Sequence, residues 1–173
     1  MTTLQIVGRK NSGKTGLVVR LLPLLKARGL RVGTVKHSSH SHALDREGSD
    51  SARHREAGSE ATMVITSSGV ALHFPLPGEP SAVDALIKRF QGDLDLVLIE
   101  GWKNRRGPKI EVVPPNRDGK PRDPVHLESG ELIGVVHSPG LNAAIGPAMG
   151  IPRFAWEDME GIGALVLEWF GHM

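Results

Sequence analysis

Residues 6–17 read IVGRKNSGKTGL, and this stretch decides the fold of the 173-residue chain. It fills every fixed position of the phosphate-binding pattern G-x-x-x-x-G-K-[ST], with Gly8, Gly13, Lys14 and Thr15. In this pattern the glycines allow a tight turn whose backbone N–H groups face phosphate oxygens, the lysine reaches the β- and γ-phosphates, and the hydroxyl ligates Mg²⁺. We therefore predict a loop that binds the polyphosphate of a nucleotide.

The residues on either side of this loop predict a strand before it and a helix after it. An apolar run ending at Val7 is typical of a buried strand, and leucines recur at helical spacing from Leu17 until Gly29 offers a stop. A loop at such a junction lies at the N-terminus of the helix, where the positive end of the helix dipole faces the ligand. The alternative is a glycine-rich turn without a ligand.

Strand and helix patterns alternate along the rest of the chain. LDLVLIEG is the most apolar run, as expected for a central parallel strand, and ATMVITSSGVALHF predicts an antiparallel hairpin. We expect an α/β fold: a three-layer, P-loop NTPase-like sheet that is mostly parallel and carries the hairpin as an insertion. Residues 1–173 are expected to form a single P-loop nucleotide-binding domain. Further strands are predicted at 32–35, 109–113 and 132–137, and further helices at 51–57, after Ser81 and over 162–169.

Two polar residues at strand ends complete the predicted site. The strand in LVLIEGW ends at Glu100, and the second strand of the chain leads into Lys36. Because ligands of parallel sheets bind at the carboxyl ends of the strands, we expect Glu100 and Thr15 near Mg²⁺ and Lys36 near phosphate charge. A solvated strand-end carboxylate is the alternative for Glu100. The predicted nucleotide-binding residues are Gly8, Arg9, Lys10, Asn11, Ser12, Gly13, Lys14, Thr15, Gly16 and Lys36.

The polar loop after the second strand allows three interpretations. Asp45 or Asp50 could complete the magnesium shell or order the loop around the γ-phosphate. His37, His40 and His42 offer three imidazoles within six residues, which suits a transition-metal site. A solvated connector with incidental charges is the third interpretation.

Composition limits the classes of function. The chain has 21 Lys and Arg against 19 Asp and Glu, a net charge of +2, so charge gives no general case for nucleic acid or membrane binding. The absence of cysteine excludes disulfides and thiolate-ligated metal centres. Neither an export signal nor an apolar run of the roughly 20 residues needed to span a membrane is present, and we expect a cytoplasmic protein.

Five blocks, taken in order, resemble the molybdopterin-guanine dinucleotide biosynthesis protein B (MobB) family: GRKNSGKT, GTVKHSSH, DSARHREAG, DLVLIEGWK and KIEVV. The resemblance implies a cytoplasmic GTP-binding accessory factor, typically dimeric, that assists the guanylyltransferase attaching GMP to the molybdenum cofactor. It implies GTP and Mg²⁺ as ligands, with Thr15 and Glu100 near the metal. Residues of the second block that match the family are Lys36, His37, His40, Asp45, Asp50 and Arg53.

A basic cluster follows Glu100 and allows several partners. Its members are Lys103, Arg105, Arg106 and Lys109. The cluster could contact nucleotide phosphate, the phosphate of the molybdopterin cofactor or an acidic partner surface, and a solvated loop is the alternative.

The chain lacks the residues that usually accompany fast GTP hydrolysis and guanine recognition. No glutamine stands at a switch position, no internal arginine finger is certain, and the guanine-reading tetrad N-K-x-D is absent. We therefore expect a nucleotide-binding adapter that is at most a weak GTPase, with no catalytic residue assigned, and the choice of GTP rests on the resemblance. Two alternatives are a small-molecule kinase of the P-loop class, with Arg105 and Arg106 in a lid, and a metal-delivery GTPase using His37, His40 and His42.

Overall fold

The computed structural model describes residues 2–38, 45–73, 75, 80–116, 118, 120, 122–139 and 150–172. Contacts divide the chain into two units, one formed by Met1–Ser38 with Phe90–Met173 and the other by Ser39–Arg89. None of the described helices is long and apolar enough to cross a membrane. The elements in chain order are β1 (Thr3–Gly8), α1 (Lys14–Ala27), β2 (Val32–Lys36), α2 (Asp50–Glu56), β3 (Thr62–Thr66), β4 (Gly69–His73), α3 (Pro80–Gln91), β5 (Leu96–Glu100), β6 (Lys109–Val113), β7 (Leu132–His137), β8 (Arg153–Ala155) and α4 (Met159–Gly171), with a 3₁₀ turn at Leu127–Ser129.

The first unit contains a six-stranded sheet in the order β2-β5-β1-β6-β7-β8. All five neighbouring strand pairs are parallel, and Ile6 of β1 lies beside Glu100 of β5 and Ile110 of β6. β3 and β4 form a separate antiparallel pair in the second unit. The predicted α/β fold with a mostly parallel sheet and an inserted hairpin is therefore confirmed. The short edge strand β8 is an element that the sequence patterns did not predict.

One face of the sheet carries the apolar core. Leu4 and Ile6 of β1 are fully buried and pack with leucines of α1 and with Ile162 and Val166 of α4. The α1 leucines in this cluster are Leu17, Leu21 and Leu25, the helical spacing noted in the sequence. Each such buried side chain contributes about 1.5–3 kcal/mol relative to exposure, so this face supplies much of the stability of the unit.

On the neighbouring strands β1 and β6, buried polar residues alternate with the apolar ones. These polar residues bind a connection that contains no helix. Residues 101–108, here called the crossing segment, connect β5 to β6 without regular structure of their own. Gln5 Nε2 and Lys109 Nζ donate hydrogen bonds to main-chain carbonyls of the crossing segment at 2.7–3.2 Å. The acceptors are the carbonyl oxygens of Arg105, Arg106 and Gly107.

Glu111 anchors a second irregular segment in the same way. Its side chain is 2% exposed, and its two carboxylate oxygens accept the backbone N–H groups of Val125 and His126, both at 2.9 Å. A buried carboxylate is costly unless its oxygens accept hydrogen bonds, and here each oxygen accepts one. Lys109 and Glu111 thus fill buried strand positions as hydrogen-bonding partners of loops.

The second unit has its own polar anchors. Ser49 caps α2 by accepting the N–H of Ala52 at 3.2 Å. The Asp45 carboxylate accepts hydrogen bonds from the Ser51 hydroxyl at 2.6 Å and from Arg55 at 2.7 Å. The Ser51 hydrogen bond, followed by that of Arg55, holds the pKa of Asp45 well below its usual value. Asp45, a candidate magnesium ligand in the sequence, is therefore paired within its own unit.

The buried ion pair of Lys109 with Glu131 yields a stability prediction. Lys109 is 1% exposed, and its hydrogen bond, followed by the Gly107 N–H, holds the pKa of Glu131 below its usual value. Because the folded-state pKa is depressed, this stabilisation is present above the unfolded-state pKa and is lost as the pH falls through the folded-state value. We expect Glu131→Gln to lower the free energy of unfolding by about 2 kcal/mol at pH 7, since it leaves the Lys109 ammonium without its counter-charge.

Urea unfolding at pH 7 and at acid pH measures this difference, which should shrink as Glu131 of the unmodified chain becomes protonated. The exposed Glu168→Gln is the matched control and should change stability by less than about 0.5 kcal/mol. An equal loss at both pH values would show that the charge of Glu131 does not matter.

Candidate phosphate-binding site

The loop between β1 and α1 follows a backbone path that requires glycine. Gly8 has φ +146°, and a Cβ built there would overlap the carbonyl oxygen of Val112 in β6 and lie 2.7 Å from Ser12 Oγ. Gly13, the residue before α1, has φ +98°, and Asn11 between them also has positive φ, at 57°. The loop thus turns sharply at both of its glycines, as the pattern predicted, and presents the N-terminus of α1 at the carboxyl edge of the sheet.

Lys14 folds over this loop. Its Nζ donates to the carbonyl oxygens of Arg9 at 2.5 Å and Gly8 at 3.3 Å. Burial lowers the pKa of Lys14 below its usual value; Glu100 raises it, while Lys103 and Lys36 lower it further. The Lys14 ammonium therefore lies over the loop near other cations. A bound polyphosphate would offset the repulsion between these charges.

The structure brings together Thr15, Glu100 and Lys36, which the sequence places in three different elements. Thr15 Oγ1 donates to Glu100 Oε1 at 2.7 Å, and Lys36 Nζ lies 3.5 Å from the same carboxylate oxygen. The Glu100 side chain is 12% exposed and that of Lys36 is 64% exposed. A hydroxyl and a carboxylate oxygen are the hard ligands that Mg²⁺ prefers. Glu100 is therefore a paired residue beside the loop, in contrast to the alternative of a solvated carboxylate.

The ends of β2 and β5 are tied together immediately beyond these residues. The His37 N–H donates to the Glu100 carbonyl at 2.9 Å, and the His37 ring stacks on Trp102 with centroids 4.9 Å apart and planes at 8°. Gly101 has φ +92°, and a Cβ there would lie 2.7 Å from the His37 carbonyl oxygen. This tie fixes the spacing of the strand ends that carry Lys36 and Glu100. His40 and His42, the other imidazoles of the proposed metal site, lie outside the described residues.

Two residues that the sequence did not single out contact the opposite side of the loop. Ser138, which follows β7, donates its hydroxyl to the Ser12 carbonyl. The Trp156 ring, which follows β8, lies 3.0–3.1 Å from where Cβ atoms on Gly13 and Gly16 would be. Local sequence gave no signal for either contact, because both depend on where β7 and β8 lie in the sheet.

Arg20 fixes the Trp156 ring from one turn further along α1. Its Nη1 donates to the Trp156 carbonyl at 2.6 Å, and its guanidinium lies 5.2 Å from the ring centroid. The two residues are 136 positions apart in sequence. The start of α1 is thus held between the charged ends of β2 and β5 on one side and an arginine-backed aromatic ring on the other.

The basic cluster after Glu100 does not gather at one place. Charge repulsion from Lys103 lowers the pKa of Lys14, so Lys103 lies on the same side as the phosphate loop. Arg105 Nη1 instead donates to Thr3 Oγ1 at 3.2 Å, and Thr3 precedes Gly8 by roughly 16 Å of strand. Lys109 is buried against Glu131 and main-chain carbonyls. The buried Lys109 therefore does not belong to an exposed basic surface, whereas the half-buried Arg105 also lies 5.9 Å from the Trp102 ring centroid.

Among the described residues, no three His, Asp or Glu side chains form a group that could hold a metal ion. Mg²⁺ commonly takes one or two protein ligands and completes its shell with phosphate oxygens and water. Thr15 and Glu100 fit that small number of protein ligands.

The parallel sheet with a glycine-lysine-threonine loop at the end of β1 places the chain among proteins of the P-loop NTPase-like fold. A family model described as MobB, molybdopterin guanine dinucleotide synthesis protein B, matches residues 3–138. The chain belongs to the MobB family.

Relatives and solved structures agree with this assignment. A protein of Escherichia coli (strain K12) named molybdopterin-guanine dinucleotide biosynthesis adapter protein is 34% identical over 161 residues, covering 91% of this chain and 87% of that protein. A Haemophilus influenzae protein of the same name is 43% identical over 108 residues, 62% of this chain; the match spans 60% of that relative, less than two thirds of its length. The crystal structure of Bacillus subtilis MobB superposes with a TM-score of 0.72 at 26% identity and covers 97% of both chains.

The contact between Trp156 and α1 predicts opposite effects for two glycine substitutions. Alanine favours a helix interior over glycine by about 1 kcal/mol, so Gly163→Ala in α4, where the new Cβ meets a side-chain carbon at 3.8 Å, should stabilise the protein by about 0.5–1 kcal/mol. Gly16→Ala should instead destabilise it by about 1 kcal/mol, because the Trp156 ring must move. Thermal unfolding of both variants measures the difference. A stabilised Gly16→Ala variant would show that the ring does not constrain the start of α1.

Proposed function

We propose that this protein is a GTP-binding adapter of molybdopterin guanine dinucleotide biosynthesis. In this proposal GTP with Mg²⁺ binds residues 8–16, and the protein assists the guanylyltransferase that attaches GMP to the molybdenum cofactor. The observation that carries the proposal is the 2.7 Å contact of Thr15 with Glu100 beside Lys14. Membership of the MobB family and the name of the Escherichia coli relative support the pathway.

The charges around the loop favour a polyphosphate. The first N–H groups of α1 lack acceptors within the helix and carry the positive end of its dipole. Lys14, Lys36 and Lys103 add three cations whose mutual repulsion a phosphate chain would relieve. Only a ligand with several negative charges brings enough acceptors for these donors, so a nucleoside triphosphate fits better than a neutral ligand.

The Thr15 and Glu100 oxygens fit a magnesium ion that bridges to this polyphosphate. Mg²⁺ would neutralise phosphate charge and fix the orientation of the chain. Glu100 is positioned for this role by the backbone tie to His37, and Thr15 by the first turn of α1. Lys36, on the same carboxylate, would lie toward the γ-phosphate.

Nucleotide binding, and at most slow hydrolysis, is the activity that we propose. Hydrolysis needs a positioned water and a cation that stabilises the transition state. Arg105 donates to Thr3 Oγ1 and lies 5.9 Å from the Trp102 ring centroid, so its guanidinium is engaged within the fold. Of the two arginines of the small-molecule kinase alternative, this leaves Arg106, whose side chain is exposed. Turnover of GTP by the isolated protein at about 1 per second or faster would refute the proposal.

Two protein partners belong to the proposal, both in the cytoplasm: the guanylyltransferase and a second copy of this chain. The hairpin of β3 and β4 supports the homodimer, since a two-stranded hairpin is marginally stable by itself and this one exposes several apolar side chains. They are Met63, Ile65, Val70 and Leu72, between 55% and 72% exposed. Sedimentation of the purified protein tests the dimer, and pull-down from cell extract tests the guanylyltransferase and any bound molybdopterin.

Titration with GTP and with ATP, each with and without Mg²⁺, tests the ligand. The proposal expects tight binding of GTP that requires Mg²⁺. Equal affinities for GTP and ATP would remove the guanine assignment and leave a general nucleotide-binding adapter.

Lys14→Ala should lower nucleotide affinity by about a hundredfold or more while the protein stays folded, because the ammonium serves the ligand and not the core. Lys26→Ala, in the last turn of the same helix, is the matched control and should bind normally. Calorimetric titration measures affinity, and circular dichroism verifies the fold. Unchanged affinity of the Lys14 variant would contradict the assigned role.

Glu100→Gln separates a magnesium role from a structural one. The variant should lose roughly tenfold or more in affinity with Mg²⁺. Without Mg²⁺ its affinity should be unchanged or higher, since Lys14 and Lys36 lose a competing anion. Asp95→Asn, just before the same strand, provides the control. Equal losses with and without Mg²⁺ would make the carboxylate structural.

A further inference from the structure

The sheet order places different chemistry on the two sides of β1. Lys36 ends β2 and Glu100 ends β5, and both strands lie on one side of β1. β7 and β8 lie on the other side, where Ser138 and Trp156 contact the phosphate loop. Charged groups and an aromatic ring therefore lie on opposite sides of the N-terminus of α1.

This asymmetry sets the direction of a bound nucleotide, if nucleotide binds as proposed above. The lysine of the loop motif reaches the β- and γ-phosphates, and the threonine ligates the metal between them. Since Glu100 contacts Thr15 and Lys36 contacts Glu100, the γ-phosphate end lies toward β5 and β2. The α-phosphate and the nucleoside must then lie toward β7 and β8, over the first turn of α1.

Trp156 has the properties of a nucleoside contact at that end. Its ring edge is held against Gly13 and Gly16, and the Arg20 guanidinium lies 5.2 Å from its centroid. The residue is half-buried, and it also packs against the apolar core. A rigid, partly exposed aromatic ring is a surface on which the planar base of a nucleotide can pack with little loss of side-chain entropy.

We propose that Trp156 contacts the nucleoside of the bound nucleotide and supplies affinity that does not depend on the identity of the base. Stacking on an aromatic ring tolerates any base, because each base offers a π-face. The contact therefore selects nucleoside polyphosphates over inorganic polyphosphates. Discrimination of guanine from adenine would come from other residues or from the partner protein.

The test compares ligands that share the phosphates and differ in the nucleoside. The Trp156→Ala variant is titrated with GTP, ATP and inorganic tripolyphosphate, each with Mg²⁺. Both nucleotides should lose about tenfold in affinity, by a similar factor, while tripolyphosphate binds as it does to the unmodified protein. Trp169→Ala is the matched control: it removes a tryptophan that packs on the core from α4 and should leave all three affinities unchanged.

The outcomes separate this inference from the proposed function. If the unmodified protein binds none of the three ligands, the proposed function fails. If it binds them and Trp156→Ala weakens nucleotides and tripolyphosphate by the same factor, Trp156 only shapes the loop and the inference is overturned.

Fluorescence provides a second test that does not need the alanine variant to fold. In a Trp102→Phe protein the remaining tryptophans are Trp156 and Trp169; both pack against the core, and Trp156 also lies against the phosphate loop. GTP should quench the emission by contact with the Trp156 indole, and tripolyphosphate should not. An equal response to both ligands would overturn the inference.

Discussion

The backbone at the end of β1 and the start of α1 lies so close to its neighbours that three positions leave little or no room for a Cβ. A Cβ at Gly8 would overlap the carbonyl oxygen of Val112, and Cβ atoms at Gly13 and Gly16 would press on the Trp156 ring. Backbone N–H groups can reach a phosphate only where no side chain stands between them, so the same constraint that packs the loop also opens it to a ligand. Thr15 and Lys14 owe their positions to this turn.

The two faces of strands β1 and β6 are stabilised by different kinds of interaction. Leucines of α1 and apolar residues of α4 cover one face by hydrophobic burial. On β6 the alternate residues Lys109 and Glu111 are buried and hold irregular segments by hydrogen bonds. Removing such charges from water is unfavourable, and several hydrogen bonds for each group offset that cost. The protein thus covers part of its sheet with loops where other α/β folds use helices.

Local patterns predicted the elements that carry their own signals. The phosphate loop, the strands that end at Lys36 and Glu100, and the hairpin all appear in the sequence as motifs or periodicities, and the structure contains them. Trp156 could not be found in this way, because its contact with Gly16 depends on the order of strands in the sheet. The burial of Lys109 could not be predicted from its basic neighbours for the same reason: it depends on Glu131 and on carbonyls of the crossing segment. β8 has three residues, which are too few to show a periodic pattern in the sequence.

The hydrogen bonds that hold the crossing segment have an evolutionary consequence. Gln5 and Lys109 bind carbonyl oxygens, which every amino acid possesses. Selection on the fold therefore acts on the two donors, while the side chain at position 106 can diverge among relatives at little cost to folding. Sequence drift in this connection is compatible with an unchanged backbone path.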